Sequence, residues 1–257
     1  HVMVYFVGAG CGAADLITVR GMNLLKKADV IIYAGSLVNP ELLNYAKDGT
    51  EIFNSAFMTL EEVIEIIKKA EKNGKTTVRL HTGDSSIYGT IREQMGLLDD
   101  LGIKYETCPG VSACFGAASS MNLEYTLPDV SQTLIITRME GKTKVPSEES
   151  IRSLASHKSS MAIYLSTGLL EKLSDELVAG GMDVLTPAAI VYKATWPEEK
   201  ILKCTVGTLE KTARENGITK TALVIVGDVI DHSTYSRSKL YDPEFETEYR
   251  KVKTSAD

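Results

Sequence analysis

Short apolar runs alternate with helical periodicities along the first half of the chain. Residues 2–7 (Val-Met-Val-Tyr-Phe-Val) are continuously apolar; a helical pattern over 19–28, a second run at 30–33, a helical pattern over 60–71 and a third run at 77–80 follow. Uninterrupted apolar runs suit strands buried on both faces, and their alternation with helices predicts βαβ units around a mainly parallel sheet. Within the 60–71 pattern, Leu60, Val63, Ile64 and Ile67 recur at helical spacing with charges between them, which predicts an amphipathic packing helix without chemistry of its own. A small-residue helix is expected at 111–120, after the Pro109-Gly110 turn.

The periodicity breaks at 123–129 (Leu-Glu-Tyr-Thr-Leu-Pro-Asp), where a domain linker is expected. Beyond it, strand-like runs at 133–137, 161–165, 188–192, 201–206 and 222–226 outnumber helical patterns at 148–156, 169–179 and 207–216. More strand per helix predicts a mixed sheet. At 257 residues the chain is near the size at which one core divides. We therefore expect two α/β domains, 1–122 and 123–235, with a tail, 236–257. That tail is charged and lacks a sustained apolar pattern, so it is expected either to be disordered or to lie as an arm on the surface or on a partner.

Composition narrows the function classes. The hydrophobic share is 44% and the charged share 24%, as in ordinary globular proteins, and the net charge of −6 opposes general affinity for nucleic acid. Cys11, Cys108, Cys114 and Cys204 show no CxxC spacing and are expected as reduced thiols. No apolar run approaches the ~20 residues that span a bilayer. The first strand begins at Val2, leaving no room for a signal peptide, so a cytoplasmic protein is expected. His1 is set aside as the remnant of a tag.

The segment Gly8-Ala9-Gly10-Cys11-Gly12-Ala13 formally satisfies G-x-G-x-x-G/A at Gly8, Gly10 and Ala13. A dinucleotide site also needs a helix starting at the glycines and an acid at the end of the second strand. Neither condition is met: Ala14-Asp15-Leu16-Ile17 intervenes, and Asp29 precedes a strand that ends at Tyr33-Ala34-Gly35. A plain tight turn stays open as a reading. A second signal, Leu80-His81-Thr82-Gly83-Asp84-Ser85-Ser86-Ile87-Tyr88-Gly89, is again strand, polar turn, then helix; its simpler reading is helix capping by Asp84 or Ser85. Polar turns at 8–12, 82–86 and 109–113 all follow strands of one half. In a parallel sheet such turns share a crevice at the carboxyl ends of the strands.

With Leu16-Ile17-Thr18-Val19-Arg20-Gly21, Ala28-Asp29-Val30-Ile31-Ile32-Tyr33, Thr82-Gly83-Asp84-Ser85 and Cys108-Pro109-Gly110-Val111-Ser112-Ala113, the glycine segment resembles the ordered signatures of the uroporphyrinogen-III and precorrin (class III, tetrapyrrole) methyltransferases. Tyr33-Ala34-Gly35-Ser36-Leu37-Val38-Asn39-Pro40, Ser131-Gln132-Thr133, Thr137-Arg138-Met139-Glu140-Gly141-Lys142, Tyr192-Lys193-Ala194-Thr195-Trp196-Pro197 and Ser238-Lys239-Leu240-Tyr241-Asp242-Pro243 resemble the branch that methylates C11 of precorrin-4 or cobalt-precorrin-4. Two small residues depart from the family, Cys11 and Ser85, where proline is usual. The acid that uroporphyrinogen methylases carry near Ala34-Gly35 is absent, so no acid or base is assigned there.

The resemblance implies two α/β domains with a cofactor cleft between them, and C-methylation of a precorrin in cobalamin biosynthesis with S-adenosylmethionine as donor and S-adenosylhomocysteine as product. It implies cofactor contacts from Cys11, Gly12, Gly83, Asp84, Ile87, Ser112, Ala113, Tyr164, Leu165, Ala194 and Ala222, and a homodimer. Methyl transfer from a sulfonium relies on alignment and desolvation, so no metal and no covalent nucleophile are expected. Asp84 is expected either to hold the donor's ammonium group or to order its loop; His81 either sits in the core at a strand end or acts as a base. A carboxylate-rich tetrapyrrole calls for cations, for which Arg92, Arg138, Lys142 and Lys193 are candidates, Arg138 at a strand end being the best placed to grip a substrate carboxylate, with Trp196 either against the macrocycle or packed. Four rival readings stand beside this one: another position of a precorrin, a protein substrate, as in diphthine synthase, a ribosomal RNA substrate, and a nonenzymatic tetrapyrrole carrier.

Overall fold

The computed structural model describes residues 2–164, 167–220, 222–231 and 235–252. The chain forms two compact units. One runs to Ser120 and takes in Lys193–Glu199; the other comprises Met121–Tyr192 and continues from Lys200. The return of Lys193–Glu199 to the first unit is a feature that no composition shift announces.

In the first unit, β1 (Val4–Gly8), β2 (Val30–Tyr33), β3 (Glu51–Asn54), β4 (Thr77–His81) and β5 (Tyr105–Cys108) form a sheet in the order β3-β2-β4-β1-β5. Every pairing is parallel, so each strand needs a crossover. The crossovers supply α1 (Val19–Lys27), α2 (Leu60–Lys72) and α3 (Ile91–Asp100), and α4 (Ala113–Met121) follows β5. One sheet face shares its core with Leu25 of α1, through Val7, Ile31, Val78 and Leu80. The other packs Phe6 and Ile32 against Val63, Ile64 and Ile67 of α2 and Met95 and Leu98 of α3. Burial on both faces explains the unbroken apolar runs of β1 and β2; β4, equally buried, carries Arg79 and His81 within it. Local chemistry fixes the helix starts: the Thr18 hydroxyl accepts from the Gly21 amide at α1, and Thr59 and Glu62 form a reciprocal capping box at α2.

The second unit holds β6 (Leu134–Arg138), β7 (Ser160–Tyr164), β8 (Pro187–Tyr192), β9 (Lys200–Thr205) and β10 (Ala222–Val226) in the order β6-β7-β10-β8-β9. Only β6 and β7 pair in parallel; the other pairings are antiparallel, so the sheet is mixed, as expected. Three helices, α5 (Ile151–Ala155), α6 (Leu170–Ala179) and α7 (Leu209–Glu215), share one core with Met161, Ile163, Ile190 and Val224. In the tail, Nη2 of Arg250 donates to the carbonyls of Leu240, Asp242 and Phe245 at 2.8, 2.7 and 3.1 Å, gathering 240–250 into a loop. No helix among the described residues is long and apolar enough to cross a membrane.

Candidate active site

Because the first sheet is parallel, the turns after β1, β4 and β5 emerge at the same end, and glycine lets them touch. The Ala9 amide donates to the His81 carbonyl at 2.6 Å, and Gly10 and Gly83 exchange amide-to-carbonyl bonds of 3.2 and 2.8 Å. A Cβ on Gly8 would lie 2.6 Å from the Gly83 carbonyl oxygen and 2.7 Å from Gly110 Cα; one on Gly110 would lie 2.2 Å from the same oxygen. Gly83 itself has φ +61°, which L side chains rarely adopt. On the far side of Gly83 stand Ser112 and Ala113 at the start of α4, within 3.5 to 3.7 Å of where its Cβ would be. These three turns therefore present backbone rather than side chain.

Asp84 ties the arrangement together. Its Oδ2 accepts from the Gly110 amide at 2.8 Å, and its Oδ1 accepts from the Ser86 amide at 2.9 Å and from the Ser86 hydroxyl. Burial pushes the carboxyl up, but the hydrogen bonds from Ser86 and Gly110 outweigh it and hold Asp84 below the usual carboxylate range. Both oxygens are thus engaged within the turns. Ile87 follows, its amide donating to the Asp84 carbonyl at 3.3 Å, and the buried Ser85 sits where its carbonyl would be 2.1 Å from a Cβ on Gly89.

The segment Gly10–Ala13 is gripped from two directions. Asn39, 8% exposed, donates from Nδ2 to the Gly12 carbonyl at 3.0 Å while its Oδ1 accepts from the Glu41 amide. Opposite, the Thr195 hydroxyl accepts from the Ala13 amide at 3.0 Å and meets Cys11 Sγ at 3.6 Å. A Cβ on Gly12 would fall 2.4 Å from Trp196 Cδ1 and 2.6 Å from the Ala194 carbonyl oxygen, so Ala194 and Trp196 lie directly against the glycine segment. Burial pushes the Cys11 thiol up, so it stays protonated. Asn39, Thr195 and Glu199 carry this geometry, and sequence reasoning did not single them out. The Asn39-Pro40 pair had a visible capping signature; Glu199 had none.

The other expected site residues separate. Tyr164 ends β7 and Ala222 begins the antiparallel β10, so both lie at one end of the second sheet, with Arg138 ending β6 beside Tyr164. Leu165 lies outside the described residues. Arg138 donates from Nη1 to the carbonyls of Met139 and Thr143, both at 3.3 Å, and from Nη2 to that of Lys144 at 3.0 Å; its fork organises the 139–144 loop. Arg92, on α3, pairs with Asp99 at 2.8 Å on an exposed surface. Lys142 is exposed. Lys193 lies 5.3 Å over the Trp196 ring, the cation nearest in sequence to the segment that grips the glycines.

His81 sits in the sheet core. It is 5% exposed, stacks on Phe6 at 6.2 Å, and its Nε2 is buried without a hydrogen-bond partner. Burial, then the neighbouring Arg79, push it down to about 3, so it is neutral at any physiological pH. Arg79 is buried too, donating to Gln94 Oε1 at 3.0 Å and the Ile32 carbonyl at 3.1 Å, and burial pushes it down to about 10. The expected alternative to a dinucleotide fold also resolves here. A 3₁₀ turn, Ala14–Leu16, precedes α1, and Asp29 is spent on Lys47 at 2.7 Å and the Thr76 amide at 2.9 Å. The arrangement offers no proton relay among these residues.

The chain belongs to the tetrapyrrole (corrin/porphyrin) methylases, whose family model matches residues 3–210. It is 52% identical over 248 residues to a cobalt-precorrin-4 C(11)-methyltransferase of Methanocaldococcus jannaschii, covering 96% of each chain. It is 41% identical over 248 residues to a precorrin-4 C(11)-methyltransferase of Pseudomonas aeruginosa, covering 96% of this chain and 98% of that one. Among solved structures, the X-ray structure of a cobalamin biosynthetic enzyme, the cobalt precorrin-4 methyltransferase CbiF, superposes with a TM-score of 0.87 at 45% identity, covering 90% of this chain and 96% of that one.

The neutral, buried His81 has a measurable consequence. Its folded value lies below its ordinary one, so between pH 6.5 and about 3 the unfolded chain binds one more proton, and stability falls as pH falls through that window. The loss from this residue should reach about 2 kcal/mol by pH 5. Melting temperatures of the parent and His81→Gln between pH 7.5 and 5 are expected to converge as pH falls; parallel curves would contradict a neutral buried His81.

Proposed function

We propose that this chain transfers a methyl group from S-adenosylmethionine to C11 of precorrin-4 or cobalt-precorrin-4, a step in building the corrin ring of cobalamin. The observation that carries the reading is the backbone-to-backbone packing of the turns after β1, β4 and β5, where a Cβ on Gly8 or Gly110 would strike the Gly83 carbonyl oxygen. The C(11)-methyltransferase activity named for relatives aligned over nearly the full chain supports the C11 position.

The residues present fit such a donor. Cys11, Gly12, Gly83, Asp84, Ile87, Ser112, Ala113 and Ala194 would hold it on the first unit. When bound, S-adenosylmethionine supplies an electrophilic methyl group on a sulfonium. Transfer would form a carbon–carbon bond to the ring carbon as the carbon–sulfur bond breaks and S-adenosylhomocysteine leaves, so the protein's work would be alignment and desolvation. The backbone of the glycine turns allows close approach, and the protonated Cys11 does not compete as a nucleophile. The charge on Asp84 is already shared with Ser86 and Gly110, so its main effect is to keep the turns in place. Lys193, beside Trp196 and directly before Ala194, is the cation we assign first to a substrate carboxylate; Arg138 holds its own loop.

Calorimetry should show S-adenosylhomocysteine binding, and incubation with S-adenosylmethionine should add one methyl group to precorrin-4 or cobalt-precorrin-4, located at C11 by NMR. No binding at about 1 mM ligand would remove the donor site. Methylation of a protein, or of another precorrin position, would remove the substrate. We also propose that the enzyme acts in the cytoplasm as a homodimer, on the strength of the family resemblance. Sedimentation at micromolar concentration should give twice the mass of the 28.0 kDa chain; a monomer would refute it.

A further inference from the structure

We propose that Thr195 is a positioning residue for the methyl-donor loop, with Glu199 holding Thr195 in turn. The two belong to Lys193–Glu199, the segment that joins β8 to β9 yet lies with the first unit. Thr195 has φ +70° and Lys193 φ +46°. A β-branched residue in the left-handed region costs free energy and persists only where its surroundings over-determine it. Here they do: Glu199 Oε2 accepts from the Thr195 amide and from the Ser120 hydroxyl at the end of α4. Two further bonds close the segment on itself, Trp196 amide to Lys193 carbonyl at 3.0 Å and Glu199 amide to Trp196 carbonyl at 3.1 Å.

The strained conformation aims the Thr195 hydroxyl at the glycine segment. It accepts from the Ala13 amide at 3.0 Å, meets Cys11 Sγ at 3.6 Å and lies 2.6 Å from where a Cβ on Gly12 would be. A partly buried amide left without its acceptor is costly, so removing the hydroxyl loosens residues 11–13 where the cofactor reading places the donor. Cys11 strengthens the coupling, since a proline at that position would bring no polar atom to Thr195. Its side chain is confined on the other side by Gly116 of α4, where a Cβ would fall 2.6 Å from Cys11 Sγ. The chain Ser120–Glu199–Thr195–Ala13 thus connects the end of α4 to the turn after β1 through side chains that need not touch the ligand.

This inference rests on the reading that residues 11–13 contact the donor, and the test separates the two. Thr195→Val keeps the shape and removes the hydroxyl. In the ligand-free protein, the Ala13 amide should exchange with solvent at least about 10-fold faster in Thr195→Val, while Thr195→Ser stays near the parent. Calorimetry should show S-adenosylhomocysteine affinity reduced roughly 5–20-fold in Thr195→Val, restored within about twofold in Thr195→Ser, and reduced several-fold in Glu199→Gln, a milder change that serves if the valine variant folds poorly. Unchanged exchange at Ala13 together with unchanged affinity would overturn the proposal, as would equal losses of melting temperature in all three variants with affinity intact. If the parent bound no S-adenosylhomocysteine, the cofactor reading would fail, and the Ala13 exchange rates alone would still decide whether Thr195 holds the loop.

Discussion

Between the ends of β1, β4 and β5 there is no volume for a side chain at Gly8 or Gly110, and Gly83 between them holds a left-handed φ of +61°. A Cβ at Gly110 would fall 2.2 Å from a backbone oxygen, and backbone cannot move aside as the tip of a lysine can. Everything else at the site follows from this contact. It brings three turns close enough for Gly10 and Gly83 to bridge, for Asp84 to reach the Gly110 amide, and for the start of α4 to stand over Gly83. The parallel sheet is its precondition, because only parallel strands deliver three consecutive carboxyl ends to the same edge.

A surface made from backbone is precise but loose unless something fixes it. Here short polar side chains do so from outside the turns: Asp84 between two of them, Asn39 on the Gly12 carbonyl, Thr195 on the Ala13 amide. None of these bonds exceeds 3.0 Å, and each satisfies a backbone group that would otherwise lose hydrogen bonding to water. The ionisable groups nearby are consumed or silenced in the same way. His81 is neutral by burial, Cys11 is protonated by burial, and Asp84 is charged but shared. That pattern suits a reaction in which the donor carries the chemistry and the protein supplies position.

Much of the fold was legible because burial on both faces writes itself as unbroken apolar runs, seen in β1 and β2, and because α2 shows both its stripe and its capping box. Strand β3 escaped notice: Glu51-Ile-Phe-Asn lies at the sheet edge, half-exposed, with too little apolar pattern to register. The three turns were legible as a group from their glycines and their position after strands. Their fastenings were not. Thr195 meets Ala13 across 182 residues of sequence, and Glu199 meets Ser120 across 79, so no local spacing could reveal them. The role of Arg138 was equally opaque, since a strand-end arginine looks the same whether it faces a ligand or ties down the loop that follows it.

The most direct test of the glycine contact is Gly110→Ala, assayed for melting temperature and for S-adenosylhomocysteine affinity in the same preparation. The added methyl has only backbone to displace, so we expect a loss of about 1–3 kcal/mol in stability and at least a roughly 10-fold loss in affinity. An alanine variant that melts with the parent and binds the ligand equally well would contradict the account.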